Sequence, residues 1–183
     1  QRTAYDYPRN ARSAAAAYAS LAAYDKHEAG LTGDPKTEWH RRSIDADVRF
    51  AKTFPEHPDS GGVLTRAAQD IFKQGDLPRA IEVAQAVLDH QPAVDMPKQR
   101  IAWTVIAQSN FDLGQFAPAE QAFVRARELV PAGDPMRKDL TERLAAAVYK
   151  QGEAKRSAGD GAGAVDDFLR VAQLAPDSPV RTT

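Results

Sequence analysis

The stretch WTVIAQSNFDLGQFAPAEQAFVRARELVP (residues 103–131) contains two segments with helical apolar periodicity, separated by one glycine. A spacing of three and four residues places side chains on one face of an α-helix. Gly114 stands where the first helix would need a left-handed residue to end, and Pro131 cannot continue the second helix. The stretch therefore predicts an antiparallel helical hairpin. Its facing residues are Trp103, Ile106, Ala107 and Asn110 in the first helix, and Ala119, Phe123 and Ala126 in the second.

Small residues at the centre of this hairpin would let the two helices approach closely. Ala107 and Ala119 each carry a single methyl group, and Trp103 and Phe123 are placed to fill the space beside them. Two helices alone cannot bury both of their apolar faces, so such a pair is stable when it stacks on similar pairs. We therefore looked for the same pattern elsewhere in the chain.

The pattern recurs. In three segments a glycine is followed five residues later by an alanine, and the alanine is followed twelve residues later by a proline. A fourth copy lacks the glycine. Four copies with the same internal spacing indicate repeated helical hairpins rather than a chance effect of alanine-rich composition. The copies are Gly75–Ala80 with Pro92, Gly114–Ala119 with Pro131, Gly159–Ala164 with Pro176, and Ala46 with Phe50 and Pro58.

The last copy is longer than the others. The interval from Pro131 to Pro176 exceeds the 34-residue interval from Pro58 to Pro92 by eleven residues, which is about three helical turns. An extension by whole turns keeps the buried face in register. We predict one long helix that has Asp134 as its N-cap, begins at Pro135 and runs to about Ala158. Its apolar stripe is Met136, Leu140, Leu144, Ala147 and Val148.

The order of Trp, Ile-Ala, Ala, Phe and Pro in residues 103–131 resembles the tetratricopeptide repeat. Asn110 departs from the family pattern, which usually has Tyr there. The other units match less well, and the resemblance covers about residues 39–176. It implies an all-α fold, an α-solenoid of antiparallel helix hairpins wound into a right-handed superhelix, with about three repeats and a non-consensus N-terminal hairpin.

The predicted organisation follows from these units. Residues 1–58 would form the non-consensus hairpin, with helices from Asn10 to about Glu28 and from Glu38 to Phe54 around a loop at 30–37. Residues 59–178 would hold three repeats, and residues 179–183 would start a further helix or form a tail. Because the chain begins with Gln, we expect a processed form or a fragment. Ser178-Pro179 has the form of a new helix start, so we expect the solenoid to continue in the parent protein unless this last turn is a frayed tail. The three repeats are 59–92, 99–131 and 134–176.

In the resembled family, the first helices of the hairpins line a concave groove that binds extended peptides or a partner helix. The family's clamp for a C-terminal carboxylate is not expected, because its positions hold Thr65, Gln69, Val105, Ala146 and Lys150. Gln69 and Gln108 would hydrogen-bond ligand backbone. Phe72 and Phe111 would be apolar anchors or would pack between repeats. The groove residues carried over by register are Thr65, Gln69, Phe72, Lys73, Thr104, Gln108, Phe111, Asp112, Tyr149, Glu153 and Arg156.

Composition argues against several other classes of protein. The net charge is −1 with Lys and Arg interleaved among acids, unlike the basic footprint of a nucleic-acid binder. There is no cysteine and no apolar run of the ~20 residues that a membrane-spanning helix needs. The four histidines lack metal-ligand spacing and are read as solvated surface groups or as favourable charges near helix C-termini. The carboxylate pairs Asp45/Asp47 and Asp166/Asp167 are not expected to form acid–base dyads. We expect no cofactor, no metal and no enzymatic activity.

The favoured function is a protein–protein interaction scaffold. Two alternatives remain open: an architectural spacer in a larger bacterial envelope protein, or a regulatory module of an enzyme. The first is suggested by residues 54–60, FPEHPDS, which are similar to repeat junctions of periplasmic and outer-membrane-associated tetratricopeptide lipoproteins. A periplasmic or outer-membrane-associated location is therefore favoured over the cytoplasm. The sequence leaves the oligomeric state open.

Overall fold

The computed structural model describes Tyr5 and residues 12–176. Within residues 12–176 the chain forms eight α-helices and no strand, which confirms the all-α prediction. The helices are α1 (Ser13–Ala29), α2 (Gly33–Thr53), α3 (Ser60–Lys73), α4 (Leu77–Leu88), α5 (Met96–Asp112), α6 (Phe116–Glu128), α7 (Pro135–Ser157) and α8 (Gly161–Leu174).

The helices pack in chain order. Each packs on the one that follows it, and α3 also packs on α5 in the next hairpin. The main contacts thus join neighbours along the chain, as in a solenoid, where each repeat touches only the repeats beside it. The first helices of successive hairpins are α1, α3, α5 and α7.

The predicted repeat register is confirmed at both of its diagnostic positions. Gly75, Gly114 and Gly159 have φ angles of 81°, 74° and 84°, in the left-handed region that only glycine enters without strain. Each lies between the two helices of a hairpin, where the chain reverses direction. The alanines of the four copies are all buried: Ala46, Ala80, Ala119 and Ala164.

The interior is built from the predicted faces. Asn110, at the position where the resembled family has Tyr, is buried and donates to the Ile106 carbonyl at 2.8 Å. Trp103 packs half-buried against the core, and its remaining surface lines a shallow outer groove beside α6. The centre of the hairpin α5–α6 is closed by Ala107, Ala119, Phe123 and Ala126, each no more than 1% exposed.

The long helix α7 is confirmed. Asp134 is its N-cap and accepts a hydrogen bond from the Met136 amide at 2.8 Å, with Pro135 as the first helical residue. The predicted stripe is buried at four of its five positions, whereas Met136 is 42% exposed. Because α7 extends toward its N-terminus beyond the ordinary repeat length, its first turns reach a part of the surface that a shorter helix would leave open.

The N-terminal hairpin differs from the prediction in two details. The loop expected at 30–37 is shorter, since α2 begins at Gly33. Pro35 fits in the first turn of a helix, where backbone N–H groups have no partner within the helix. In α1 the sequence periodicity predicts an apolar stripe of Ala14, Tyr18 and Leu21. The buried residues are instead Ser13, Ala17 and Leu21, at a spacing of four, and Tyr18 is 39% exposed. The predicted helix start at Asn10 and the segment 179–183 lie outside the described residues.

Candidate functional site

A cleft of about 410 Å³ lies between α3, α5 and α7. Helix α3 packs on α5, but the backbones of α5 and α7 approach each other little. The extended first turns of α7 therefore face α5 across an open space. Its lining residues are Gln69, Phe72, Lys73, Arg100, Ile101, Thr104, Val105, Gln108, Met136, Asp139, Leu140 and Arg143.

The cleft has an apolar floor. Val105 and Leu140 are 6% and 2% exposed, and they anchor α5 and α7 to the core. Phe72 and Ile101 are half-buried beside them. A concave surface that combines apolar contact area with a few polar groups is the usual form of a binding site.

Polar side chains from α3 and α5 stand along the rim. The Gln69 side chain is half-buried in the lining. The Gln108 amide donates to Asp112 Oδ1 at 2.8 Å and accepts from Arg143 at 3.0 Å. Gln108 is therefore already bridged to α7, and a ligand would have to replace these exposed hydrogen bonds to use it.

Three cationic side chains line the cleft, and they differ in their partners. Lys73 Nζ lies 2.8 Å from Asp70 Oδ1, and Arg143 Nε lies 2.9 Å from Asp139 Oδ2. The guanidinium of Arg100 lies against the sulfur of Met136. In the part of the chain that the structure describes, no carboxylate lies within ion-pair distance of Arg100.

The structure brings five of the eleven predicted groove residues into this lining: Gln69, Phe72, Lys73, Thr104 and Gln108. Three predicted residues of α3 and α5 are placed elsewhere. Thr65 is buried and donates to the Gly61 carbonyl at 2.7 Å. Phe111 packs edge-on against Phe116, with 5.4 Å between ring centroids. Asp112 holds the Gln108 amide.

The three predicted residues of α7 also lie outside the cleft lining. Tyr149 packs on Phe168 at 5.4 Å between centroids. Glu153 pairs with Lys150 at 2.7 Å and with Arg156 at 3.9 Å. The Lys150 ammonium donates a hydrogen bond to the Glu153 carboxylate and thereby lowers the pKa of that carboxyl. These residues occupy the C-terminal half of α7, whereas the cleft uses its first turns.

The register used for α7 explains this difference. The family register fixes positions on α7 by their distance from Gly159, at the C-terminal end of the helix, as in a repeat of ordinary length. The additional turns place Met136, Asp139, Leu140 and Arg143 opposite α5 instead. Their spacing of three and four residues was a readable signal of one helix face. Arg100 and Ile101, which begin the corresponding face of α5, were also missed.

A second cleft, of about 280 Å³, lies on the other side of α3, where α1 and α2 meet it. Its central contact is between Asp47 of α2 and Arg66 of α3, joined at 2.8 and 3.0 Å. Asp25 lies 3.7 Å from the same guanidinium. Asp47 is 3% exposed, so this ion pair attaches the N-terminal hairpin to the first repeat at a partly buried position.

Burial changes the ionisation of Asp47. Loss of solvent raises the pKa of its carboxyl to about 6, although Arg66 acts in the opposite direction. The neighbouring carboxylates of Asp25 and Asp70 add to the rise. The adjacent Asp45 pairs with a different residue, Arg79, at 2.5 Å. The two carboxylates thus serve separate ion pairs and do not form a dyad.

The histidines correct one prediction. His90 lies just after the C-terminus of α4 but is not solvated. It is 8% exposed; its Nδ1 lies 2.7 Å from the Pro92 carbonyl and its Nε2 lies 3.1 Å from Ser60 Oγ. His57 packs on the rings of Tyr18 and Phe50, at 4.8 and 5.1 Å. Both rings lie where a loop folds back on a hairpin, so their burial follows from packing that the linear sequence does not show. His27 and His40 lie at the α1–α2 hairpin, against Trp39 and Glu28 respectively.

Among Tyr5 and residues 12–176, no three His, Asp or Glu side chains converge as metal ligands. None of the helices in that part of the chain combines the length and apolar character needed to cross a membrane.

Comparison with known proteins gives the fold. No protein-family model and no curated protein matches the sequence. Among solved structures, the chain is similar to one described as a kinesin light chain with nearly identical TPR-like repeats, from Podosopora anserina. The TM-score is 0.54 at 13% identity, and the match covers 94% of this chain and 82% of that chain. The likeness shows that this chain folds as a TPR-like α-solenoid of helical hairpins.

Proposed function

We propose that the chain is a non-catalytic scaffold that binds a segment of another polypeptide in the cleft between α3, α5 and α7. The observation that carries this proposal is the cleft itself: an apolar floor is bordered by equivalent glutamines, Gln69 and Gln108, from two successive first helices. Repeated polar groups along a groove suit the repeated backbone of a polypeptide better than a compact small molecule.

The residues have distinct roles in this proposal. An amide side chain such as Gln69 can donate to a ligand carbonyl and accept from a ligand N–H. Gln108 would exchange its hydrogen bonds to Asp112 and Arg143 for hydrogen bonds to the ligand backbone. Because the new bonds resemble the old ones, the net free-energy cost of breaking the old ones is small. The floor at Phe72, Ile101 and Leu140 would take an apolar side chain of the ligand, since burial of such a side chain contributes ~1.5–3 kcal/mol.

The test uses a phage-displayed library of random dodecapeptides selected on the immobilised chain, followed by fluorescence anisotropy with synthetic copies of the selected peptides. The double variant Gln69→Ala, Gln108→Ala should bind them about tenfold more weakly, because two net hydrogen bonds of ~0.5–1.5 kcal/mol each are lost. Its far-UV circular dichroism and melting curve should match those of the wild type.

The matched control is the double variant Gln85→Ala, Gln121→Ala, which removes two exposed glutamines from the second helices α4 and α6. It should leave the affinity unchanged. The proposal is wrong if the library yields no specific peptide, or if both double variants bind the selected peptides like the wild type.

Two broader predictions belong to the same proposal. We propose the boundary at residue 58 between a non-consensus hairpin and three repeats; the separate apolar cluster of Ala17, Leu21, Ala46 and Phe50 supports it, although Val63 of α3 joins that cluster. The bacterial envelope location rests on residues 54–60 alone, and fractionation of the source cells would test it.

A further inference from the structure

We infer that Arg100 binds a carboxylate, so that the partner segment carries an Asp or Glu side chain next to the apolar residue that fills the cleft. This inference rests on the proposed function and names the chemistry of its ligand. It depends on three features of the cleft: the contacts of Arg100, its half-buried position in a lining that also contains apolar residues, and the charge of that lining.

The contacts of Arg100 set it apart from the other two cations. Lys73 and Arg143 each have a carboxylate within 3 Å. Arg100 instead contacts the Met136 sulfur, which is only a weak acceptor. A guanidinium presents five N–H donors in a planar fork that matches a carboxylate. A ligand carboxylate could therefore displace Met136, which is flexible and 42% exposed, without breaking an ion pair.

The neighbours of Arg100 would strengthen such a bond. Arg100 is half-buried, and the next residue, Ile101, lines the same apolar floor as Phe72 and Leu140. A charged hydrogen bond is stronger where surrounding apolar groups exclude water. The apolar side chain and the acid of the ligand should accordingly lie within one or two residues of each other.

The net positive charge of the cleft lining also favours an acidic ligand. The lining contains the three cations Lys73, Arg100 and Arg143 but one carboxylate, Asp139. Across α3, the second cleft holds Asp25, Glu28, Asp47 and Asp70 against Lys36 and Arg66. Acidic ligand residues placed on the far side of α3 would be repelled by these carboxylates. The acidic part of the ligand is therefore confined to the α5–α7 side.

Arg100 is not one of the positions through which some tetratricopeptide proteins hold a C-terminal carboxylate; those positions hold Thr65, Gln69, Val105, Ala146 and Lys150. Of these, Lys150 is occupied by Glu153 at 2.7 Å. We therefore assign Arg100 to an acidic side chain within a peptide. A phage library whose peptides are fused through their C-termini contains no free C-terminal carboxylate. Asp and Glu side chains are then the carboxylates that the displayed peptides offer to Arg100.

The experiment compares peptides selected by the wild type with those selected by Arg100→Gln and Arg100→Glu. Wild-type selections should be enriched in Asp or Glu beside Leu, Ile, Phe or Trp. Arg100→Gln should bind a wild-type consensus peptide ten- to hundredfold more weakly, the range for loss of a hydrogen bond to a charged group. Arg100→Glu should select Lys or Arg in place of the acid, while the apolar preference persists.

Two controls separate the possible failures. Arg125→Gln on α6 removes an arginine that is exposed outside the cleft and should change neither selection nor affinity. Thr104→Trp should block the cleft at a half-exposed position. Peptides that bind the wild type but not Thr104→Trp occupy the cleft, so the proposed function stands. If those peptides show no preference for Asp or Glu, or bind Arg100→Gln with wild-type affinity, the assignment of Arg100 is wrong. If no peptide is selected, or Thr104→Trp binds as well as the wild type, both are wrong.

Discussion

Helix α3 separates two clefts, each lined by an arginine. One arginine forms ion pairs with carboxylates of the described residues, and the other does not. On the α1–α2 side, Arg66 is held by Asp47 at 2.8 Å and by Asp25 at 3.7 Å. On the α5–α7 side, Arg100 rests on a methionine sulfur and has apolar neighbours. The first arginine joins two parts of the chain, and the second faces an open floor.

The comparison teaches how to separate structural charges from binding charges in a repeat protein. A cation whose partners come from an adjacent helix stabilises the packing of that helix, and its removal leaves a buried carboxylate without a counterion. A cation without a carboxylate partner adds little to the folded state and remains available to a ligand. The same substitution should therefore act on stability in one cleft and on binding in the other.

The largest effect is expected for Arg66→Ala. Removal of one partner from a buried ion pair costs ~3–5 kcal/mol, and because the Arg66 side chain is 47% exposed, we expect a loss of about 3 kcal/mol in the free energy of unfolding. Urea denaturation at pH 7.5 measures it. Affinity for a selected peptide should change less than twofold, about 0.4 kcal/mol. A normal stability together with lost binding would reverse the roles of the two clefts.

The next effect concerns pH. The folded pKa of Asp47, about 6, lies above the unfolded value of about 3.9, so the folded chain binds the proton more tightly. The contribution of Asp47 to stability is then greatest below about pH 4 and is lost as pH rises to about 6, by roughly 2–3 kcal/mol. The unfolding free energy of the wild type minus that of Asp47→Asn should fall across this range.

The control for this titration is Asp45→Asn, two residues earlier on the same helix, whose side chain is 61% exposed. This variant makes the same Asp-to-Asn change at an exposed position, so it measures how far the substitution itself, without burial, alters the pH dependence of stability. An Asp47 difference that rises with pH would mean that attraction to Arg66 outweighs burial in setting the pKa.

The smallest effect on stability is expected in the open cleft. Arg100→Gln should change the free energy of unfolding by less than about 0.5 kcal/mol, as for a surface substitution without a buried partner. Thermal and urea denaturation measure it beside Arg66→Ala under the same conditions. A loss comparable to that of Arg66→Ala would show that Arg100 holds α5 and α7 together and would count against a binding role.

The repeat fold could be predicted from sequence because it depends on local spacing. Gly114 and Ala119 fix a turn and a close helix contact within six residues, and the four copies repeat that local rule. The cleft was only partly predicted. Gln69 and Gln108 lie at equivalent positions of units with ordinary length. Met136 and Arg143 come from the additional first turns of α7, whose position depends on the packing of α7 against α6.

Pairing between distant residues was the other feature hidden from the sequence. Asp47 and Arg66 are 19 residues apart. The spacing from Ile44 and Ala51 places Asp47 on the buried face of its helix, but the local pattern does not name Arg66 as its partner. His90 meets Ser60 across 30 residues for the same reason. Side-chain partners of this kind follow from the stacking of hairpins, so they can be assigned only once the stack is known.

The central claim is that the cleft between α3, α5 and α7 is the surface that binds polypeptide. Titration of the ¹⁵N-labelled chain with a selected peptide, followed by amide chemical shifts, tests it most directly. We predict perturbations concentrated at Gln69, Thr104, Gln108 and the first turns of α7, with Asp25, Asp47 and Trp103 unchanged. Perturbations centred on α1 and α2, or on the outer groove beside Trp103, would contradict the claim.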